Sequence, residues 1–217
     1  MATRLDRLTV VETALRLLNE TGLDGLTLRR IATELDVKAP ALYWHFAGKQ
    51  ALLDEMATEM LRRMVRAGEA AQQAEPPCWQ QWLADGMRQL RATLLSYRDG
   101  AKVFSGTRLT DSSHAPPMER TLRTLVDQGF SVEAAGRAWF TGYTYTIGFV
   151  IEEQAVYPAP GERDPRYESE RRAGQLGPEY PLAGAVGPTF FTGHDEGFEA
   201  GLAIIVAGIE ATLHGRG

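Results

Sequence analysis

A single cysteine, Cys78, stands in the 217 residues. It has no partner for an internal disulfide and cannot build a cysteine-rich zinc site, so residence inside the cell is expected. Histidine is scarce too: the four, at positions 45, 114, 194 and 214, are scattered rather than spaced as metal ligands. No nucleophile elbow or phosphate-cradling glycine loop occurs, and Glu152 and Glu153, being adjacent, would face different directions on a helix. The expectation is a protein that is not an enzyme and carries no metal and no cofactor. Long apolar runs are also missing. The N-terminus has no apolar signal segment, and the most apolar C-terminal stretch, Gly201 to Ile209, is too short to span a bilayer and lies between Glu199 and Glu210. A soluble, cytoplasmic chain with no membrane partner is expected.

What is present is enough to fold. An apolar share of 44% in 217 residues supports one large or two modest domains with a real core. The net charge of −5 argues at first against a nucleic-acid partner. It is unevenly spread: residues 1–50 hold seven Lys or Arg and six Asp or Glu, net +1, which leaves −6 on the rest. Only a contacting face needs to be basic to meet phosphates, so a small DNA-binding part on an acidic body fits this distribution.

Residues 27–49, TLRRIATELDVKAPALYWHFAGK, carry the strongest local pattern. Leu28, Ile31, Ala32 and Leu35 repeat at helical spacing, Thr27 can cap the start, and Arg29, Arg30 and Glu34 point elsewhere. Asp36 tolerates the left-handed backbone that ends one helix and aims the next, and Val37 can plug the joint. Pro40 suits the first turn of a second helix in which Leu42 faces inward while Tyr43, Trp44 and His45 stay near the surface. This is a helix-turn-helix whose second helix fits the major groove of B-DNA. Packing alone could also account for Tyr43 and Trp44, and helix-turn-helix geometry occurs without DNA binding.

The rest of the chain reads as helical. A first helix covers Thr9 to Thr21 and ends at Gly22. A connector helix runs from Lys49 to Arg66 with Leu52, Leu53, Met56, Met60, Leu61 and Met64 on it, and a polar break follows over Gln72 to Pro77. Further helices are predicted from Trp79 to Tyr97, Pro117 to Gln128, Ser131 to Val156 with Ser131 as N-cap, and Phe190 to His214. Residues 157–188 hold six Pro and five Gly without periodicity, which predicts a long mobile loop or flap. In the last helix Gly193, Gly197 and Gly201 recur every four residues, and the penalty of about 1 kcal/mol for each helical glycine implies close approach of another helix, in a partner chain or in the same one.

The match of LTVVETALRLLNETGLDGLTLRRIATELDV and APALYWHFAGKQALLDEMATEML, with LLSYRDGAKVFSGTR and TIGFVIEEQ further on, resembles the TetR family of transcriptional repressors, and within it the tetracycline-repressor subgroup. The resemblance implies an all-α chain: an N-terminal three-helix helix-turn-helix DNA-binding domain, residues 1–48, joined by a connector helix to a helical effector-binding and dimerisation domain, residues 49–217. It implies a repressor that binds double-stranded operator DNA as a homodimer, its 131–156 and last helices pairing with their copies, and that a small-molecule effector releases. The DNA-binding candidates are Thr27, Arg29, Lys38, Ala39, Pro40, Ala41, Tyr43, Trp44, His45 and Lys49. Of these, Arg29 matches a guanine-reading arginine, Pro40 an apolar base contact, and Tyr43, Trp44, His45 and Lys49 residues that hold the backbone. Ala39 and Ala41 replace hydrogen-bonding readers of the subgroup, which implies a different operator with Lys38 as a new reader.

The effector candidates are Val65, Gly86, Leu90, Phe104, Thr107, Arg108, Met118, Thr121, Trp139, Tyr143 and Glu152. Only Thr107, Arg108 and Glu152 match the subgroup's ligand contacts. Phe104 stands where the subgroup has a histidine for a drug-bound magnesium ion, and Phe cannot ligate a hard cation. Val65, Gly86 and Thr121 replace its other polar contacts. With Trp139, Phe140, Tyr143, Tyr145 and Phe149 on one helix, a more apolar or aromatic effector is expected. By resemblance FSGTR rearranges on ligand entry and the connector transmits the change. A ligand-independent DNA-binding protein is the alternative, and it would need no aromatic cavity.

Overall fold

The computed structural model describes residues 6–70, 78–159 and 161–213, and the regular elements among them are helices, as the all-α reading expects. They fall into two compact units, one within Met1–Glu75 and Gln89–Arg120, the other within Pro76–Arg88 and Thr121–Gly217. The connector helix and residues 89–120 belong with the N-terminal helices in the first of these units.

The first unit contains α1 (Arg7–Gly25), α2 (Leu28–Glu34), α3 (Ala39–Tyr43), α4 (Lys49–Ala70) and α6 (Gly100–Phe104), with parts of α5 (Trp79–Leu95) and α7 (Ala115–Asp127). Asp6 caps α1 by accepting from the Thr9 N–H at 2.7 Å. The helix extends past its expected end because the chain resumes a helical turn after Gly22, whose φ of 69° breaks the run. That left-handed backbone is one an L side chain adopts only with strain. Leu23 beyond it donates its N–H to the Asp99 carboxylate at 2.9 Å. Val10, Val11, Ala14, Leu17 and Leu18 of α1, Ile31 and Ala32 of α2, Leu42 of α3 and Leu52 and Met56 of α4 are all buried. Each large aliphatic side chain so buried contributes about 1.5–3 kcal/mol.

In the second unit α8 (Val132–Val156) and α12 (His194–Thr212) pack together over a core of Trp79, Leu83, Met87, Leu125, Phe130, Ala138, Phe198 and Leu202. Ser131 caps α8 as its sequence implies, accepting from the Ala134 N–H at 3.2 Å. Of the glycines of the last helix, Gly201 has a reason within the chain. A Cβ on Gly201 would collide with the Tyr145 hydroxyl of α8, and one on Gly197 would meet the Phe149 ring at 3.6 Å. Tyr145 lies in that groove and donates its hydroxyl to the Phe198 carbonyl at 3.0 Å. Intrachain packing thus accounts for Gly201, whereas the distance at Gly197 is an ordinary contact that a methyl group would tolerate. Gly193 lies before the helix with φ 61°, so α12 starts at His194 rather than Phe190.

Residues 157–188 also differ from the irregular loop expected. They hold a 3-10 turn (Pro165–Tyr167), α9 (Ser169–Leu176) and α10 (Pro181–Ala185), and α11 (Gly187–Phe191) follows at once. The prolines explain this in part: Pro165, Pro181 and Pro188 occupy first turns, where a missing N–H is tolerated, so they begin short helices rather than prevent them. The expected break over Gln72 to Pro77, and His214, lie outside the described residues.

Candidate nucleic-acid interface and effector residues

The turn between α2 and α3 is built as a helix stop. Asp36 sits at φ 52°. Its N–H reaches the Thr33 carbonyl at 3.1 Å, and the Val37 N–H reaches the Ala32 carbonyl at 2.9 Å. This pair of bonds is the Schellman arrangement, with Asp in the place glycine usually takes, and it turns the chain into α3. Thr27 caps α2, its hydroxyl accepting from the Arg30 N–H at 3.1 Å. Leu42 is fully buried, which fixes the inner face of α3. Its neighbours are therefore forced outward: Tyr43 is 58% and Trp44 90% exposed. The two adjacent rings leave aromatic surface open to solvent, as interaction sites do.

The cations of this region divide into two kinds. Arg16 bonds Glu20 and Glu34, and Arg7 bonds Glu55 while lying over the Phe46 ring. By contrast, among the described residues the side chains of Arg29, Arg30 and Lys38 are exposed and have no hydrogen-bonded or ionic partner. Three exposed cations without a partner among the described residues thus lie on or between the two helices of the helix-turn-helix. Thr27 and Pro40 are exposed, and Ala39, Ala41 and His45 half-buried. Lys49 differs from the others: its ammonium donates to the Leu23 carbonyl at 2.9 Å, tying the start of α4 to the end of α1.

The effector candidates divide between the two units. In the first lie Val65 on α4, Leu90 on α5, Phe104 at the end of α6, Thr107, Arg108, and Met118 on α7. Gly86, Thr121, Trp139, Tyr143 and Glu152 lie in the second. Leu90 is buried, Gly86, Arg108 and Glu152 are exposed, and the others are half-buried. The Thr107 hydroxyl donates to the Phe104 carbonyl at 2.8 Å, and the Arg108 N–H donates to the Asp54 carboxylate of α4 at 3.2 Å. On α8 the inward-turned acid is Glu153, not Glu152. Trp139 and Tyr143 stack with ring centroids 5.1 Å apart, and Phe140 stacks on Tyr143 at 6.1 Å. Burial holds the Tyr143 phenol above its ordinary range. Where the resemblance implies an imidazole for a hard cation, Phe104 offers only ring carbon, so the residues present do not fit such an ion.

A charged cluster on α4 escaped the sequence reading. Glu55 and Glu59 are buried, and Arg62 bridges Glu55 and Asp111 at 3.1 and 2.6 Å while Arg63 and Arg66 hold Glu59. Burial works against ionisation of both acids, but hydrogen bonds outweigh it and hold both carboxyls below their ordinary values: from Arg7, Thr110 and Arg62 for Glu55, and from Arg63 and Arg66 for Glu59. Asp111, bonded by Ser113 and Arg62, is lowered to about 2. Together with the Thr110 N–H donating to the Thr58 hydroxyl at 2.9 Å, these contacts bind the 107–111 segment along α4. The spacing of Glu59 with Arg62 and Arg63 could have signalled the cluster, since residues three and four apart share a helix face.

A buried helix-turn-helix scaffold with an outward aromatic and basic face defines a DNA-binding regulator. Comparison with known proteins agrees. Residues 10–56 match the model for bacterial regulatory proteins of the tetR family, and residues 73–213 match the tetracyclin repressor-like C-terminal domain. The chain belongs to the TetR family; it is a ligand-responsive transcriptional repressor and not an enzyme. It is 42% identical to the tetracycline repressor protein class A from transposon 1721 of Escherichia coli over 95% of this chain and 91% of that one. A crystal structure described as a possible TetR family transcriptional regulator from Streptomyces coelicolor A3(2) superposes with a TM-score of 0.81 at 37% identity, covering 95% of this chain and 99% of that one. A TetR variant from Acinetobacter baumannii AYE in complex with minocycline gives a TM-score of 0.71 at 35% identity, covering 96% and 98%. Among the described residues no helix is long and apolar enough to cross a membrane.

Proposed function

We propose that the chain acts in the cytoplasm as a homodimer whose reading head, residues 1–48, holds operator DNA and whose remainder, residues 49–217, binds an apolar or aromatic effector that releases it. The stacked rings of Trp139, Tyr143 and Phe140 carry the effector assignment, because Trp139 and Tyr143 are only half-buried and Phe140 is 58% exposed. Flat ring faces left partly open favour a flat, weakly polar ligand, and Phe104 removes the imidazole that a metal chelate would need.

The dimer reading rests on a stripe of α12. Ala200, Ala203, Ile204, Ala207 and Ala211 share one side of the helix and are exposed, Ile204 at 74%. On α8, Thr144 and Gly148 are likewise exposed. A second copy of the chain would cover such faces under two-fold symmetry, which also places two heads on two half-sites about one DNA turn apart. On the head, Arg29 and Lys38 reach base edges while Tyr43, Trp44, His45 and Lys49 hold the phosphate backbone.

Release runs through α4. The 107–111 segment is bonded to Asp54, Thr58 and Arg62, so a shift in that segment moves the helix that follows the head. Coupling of about 1–3 kcal/mol would weaken operator binding roughly 5- to 150-fold. The test is selection of duplexes from a random pool by the full chain, followed by release with a panel of aromatic and polycyclic compounds. An active compound should lose its effect on Trp139→Ala and on substitution of Thr107 and Arg108. Unchanged release in those variants would rule out this route.

A further inference from the structure

We propose that Lys38 determines which operator the head reads, by donating to a guanine in each half-site, and that the bases beside that guanine are read only through thymine methyl groups. The inference rests on the head being the operator-binding surface. Among residues 38–41 only Lys38 has a polar side chain, since Ala39, Pro40 and Ala41 carry none. The Lys38 side chain makes no cap bond to its own helix, is exposed, and has no partner among the described residues. It is a donor with no acceptor capacity, and in the major groove a donor-only group matches the O6 and N7 acceptors of guanine. Beside it, the alanine and proline carbons of positions 39–41 can meet a thymine methyl but cannot form the paired bonds that adenine requires.

Arg29, likewise exposed and unpartnered, is a second donor-only reader on the preceding helix. Every side-chain hydrogen bond that these two positions offer the groove is therefore a donated one. Recognition of cytosine through its amino group is excluded at both, because that contact needs an acceptor.

The test compares the full-length protein with K38A and K38E, each selecting from a pool of duplexes of random sequence. Because the Lys38 side chain is solvent-exposed and has no partner among the described residues, both variants should keep the parental thermal midpoint, and that is measured alongside. The parent should enrich a guanine at one fixed position of each half-site with roughly 5- to 150-fold preference. K38A should keep the rest of the consensus and lose that preference, and K38E should move it towards cytosine. If K38A selects the same consensus with uniformly weaker binding and a salt slope smaller by about one, Lys38 holds a phosphate and the proposal is overturned. An unchanged consensus at unchanged affinity overturns it equally. If the parent itself enriches no duplex, the reading of the head fails first, a result distinct from either of these.

Discussion

The helix-turn-helix and the α8–α12 pair are built alike, from helices packed through one apolar face, yet they present opposite surfaces. The head shows solvent unpaired cations and bare aromatic rings at Arg29, Arg30, Lys38, Tyr43 and Trp44. The α12 side shows an aliphatic stripe, with Ile204 74% exposed. The first suits a polyanion that stays in water, and the second suits another protein face. Function in this chain is thus written in what the packed scaffold leaves outside.

That contrast is broken most severely from the inside. Leu42→Ala opens a cavity under α3 and should cost about 2–5 kcal/mol, read as a lower thermal midpoint together with loss of operator binding. Gly201→Ala should be the next largest, because the added methyl displaces Tyr145 from its bond to Phe198; overpacking of this kind costs about 1–3 kcal/mol. It should lower the midpoint while leaving the selected duplex sequence the same. A preserved midpoint would mean that Tyr145 swings clear at no cost.

Acidity separates the two surfaces in another way. Glu55 and Glu59 have folded values below their unfolded ones, so their contribution to stability is fully present above about pH 4–5 and is lost as pH falls through the lowered values. Glu59→Gln should therefore flatten the fall of the melting midpoint between pH 5 and pH 3, measured against the parent. Smallest in stability but large in binding is Trp44→Ala. With 90% of the ring exposed, the midpoint should move by no more than about 0.5 kcal/mol in stability, while operator affinity falls in titrations of labelled duplex.

Sequence pattern revealed the head more fully than the body, for a physical reason. In residues 27–49 the apolar period, the Asp36 turn and Pro40 act over a few residues each, so local chemistry decides which side chains face out. The body's determinants are longer in range. Whether Gly197 and Gly201 face a partner chain or Phe149 and Tyr145 depends on contacts across some fifty residues, which periodicity does not encode. Eleven breakers in 157–188 read as irregular chain, although three of the prolines there open short helices. Choosing between Glu152 and Glu153 likewise needed the rotation of α8, which its aromatic-rich, nearly uniform apolar character conceals. The Glu55, Glu59 and Arg62 cluster was visible in spacing but was masked by the methionines that share α4.

The central claim is that the exposed face of a two-fold pair of heads reads operator DNA. Duplex selection by the full-length chain, followed by titration of the enriched sequence at several salt concentrations, tests it most directly. The account predicts an inverted repeat with half-site centres about 10–10.5 base pairs apart, or a multiple of that, and affinity that falls steeply with salt. Recovery of no preferred duplex, or of one unrelated half-site bound by a single chain, would contradict it.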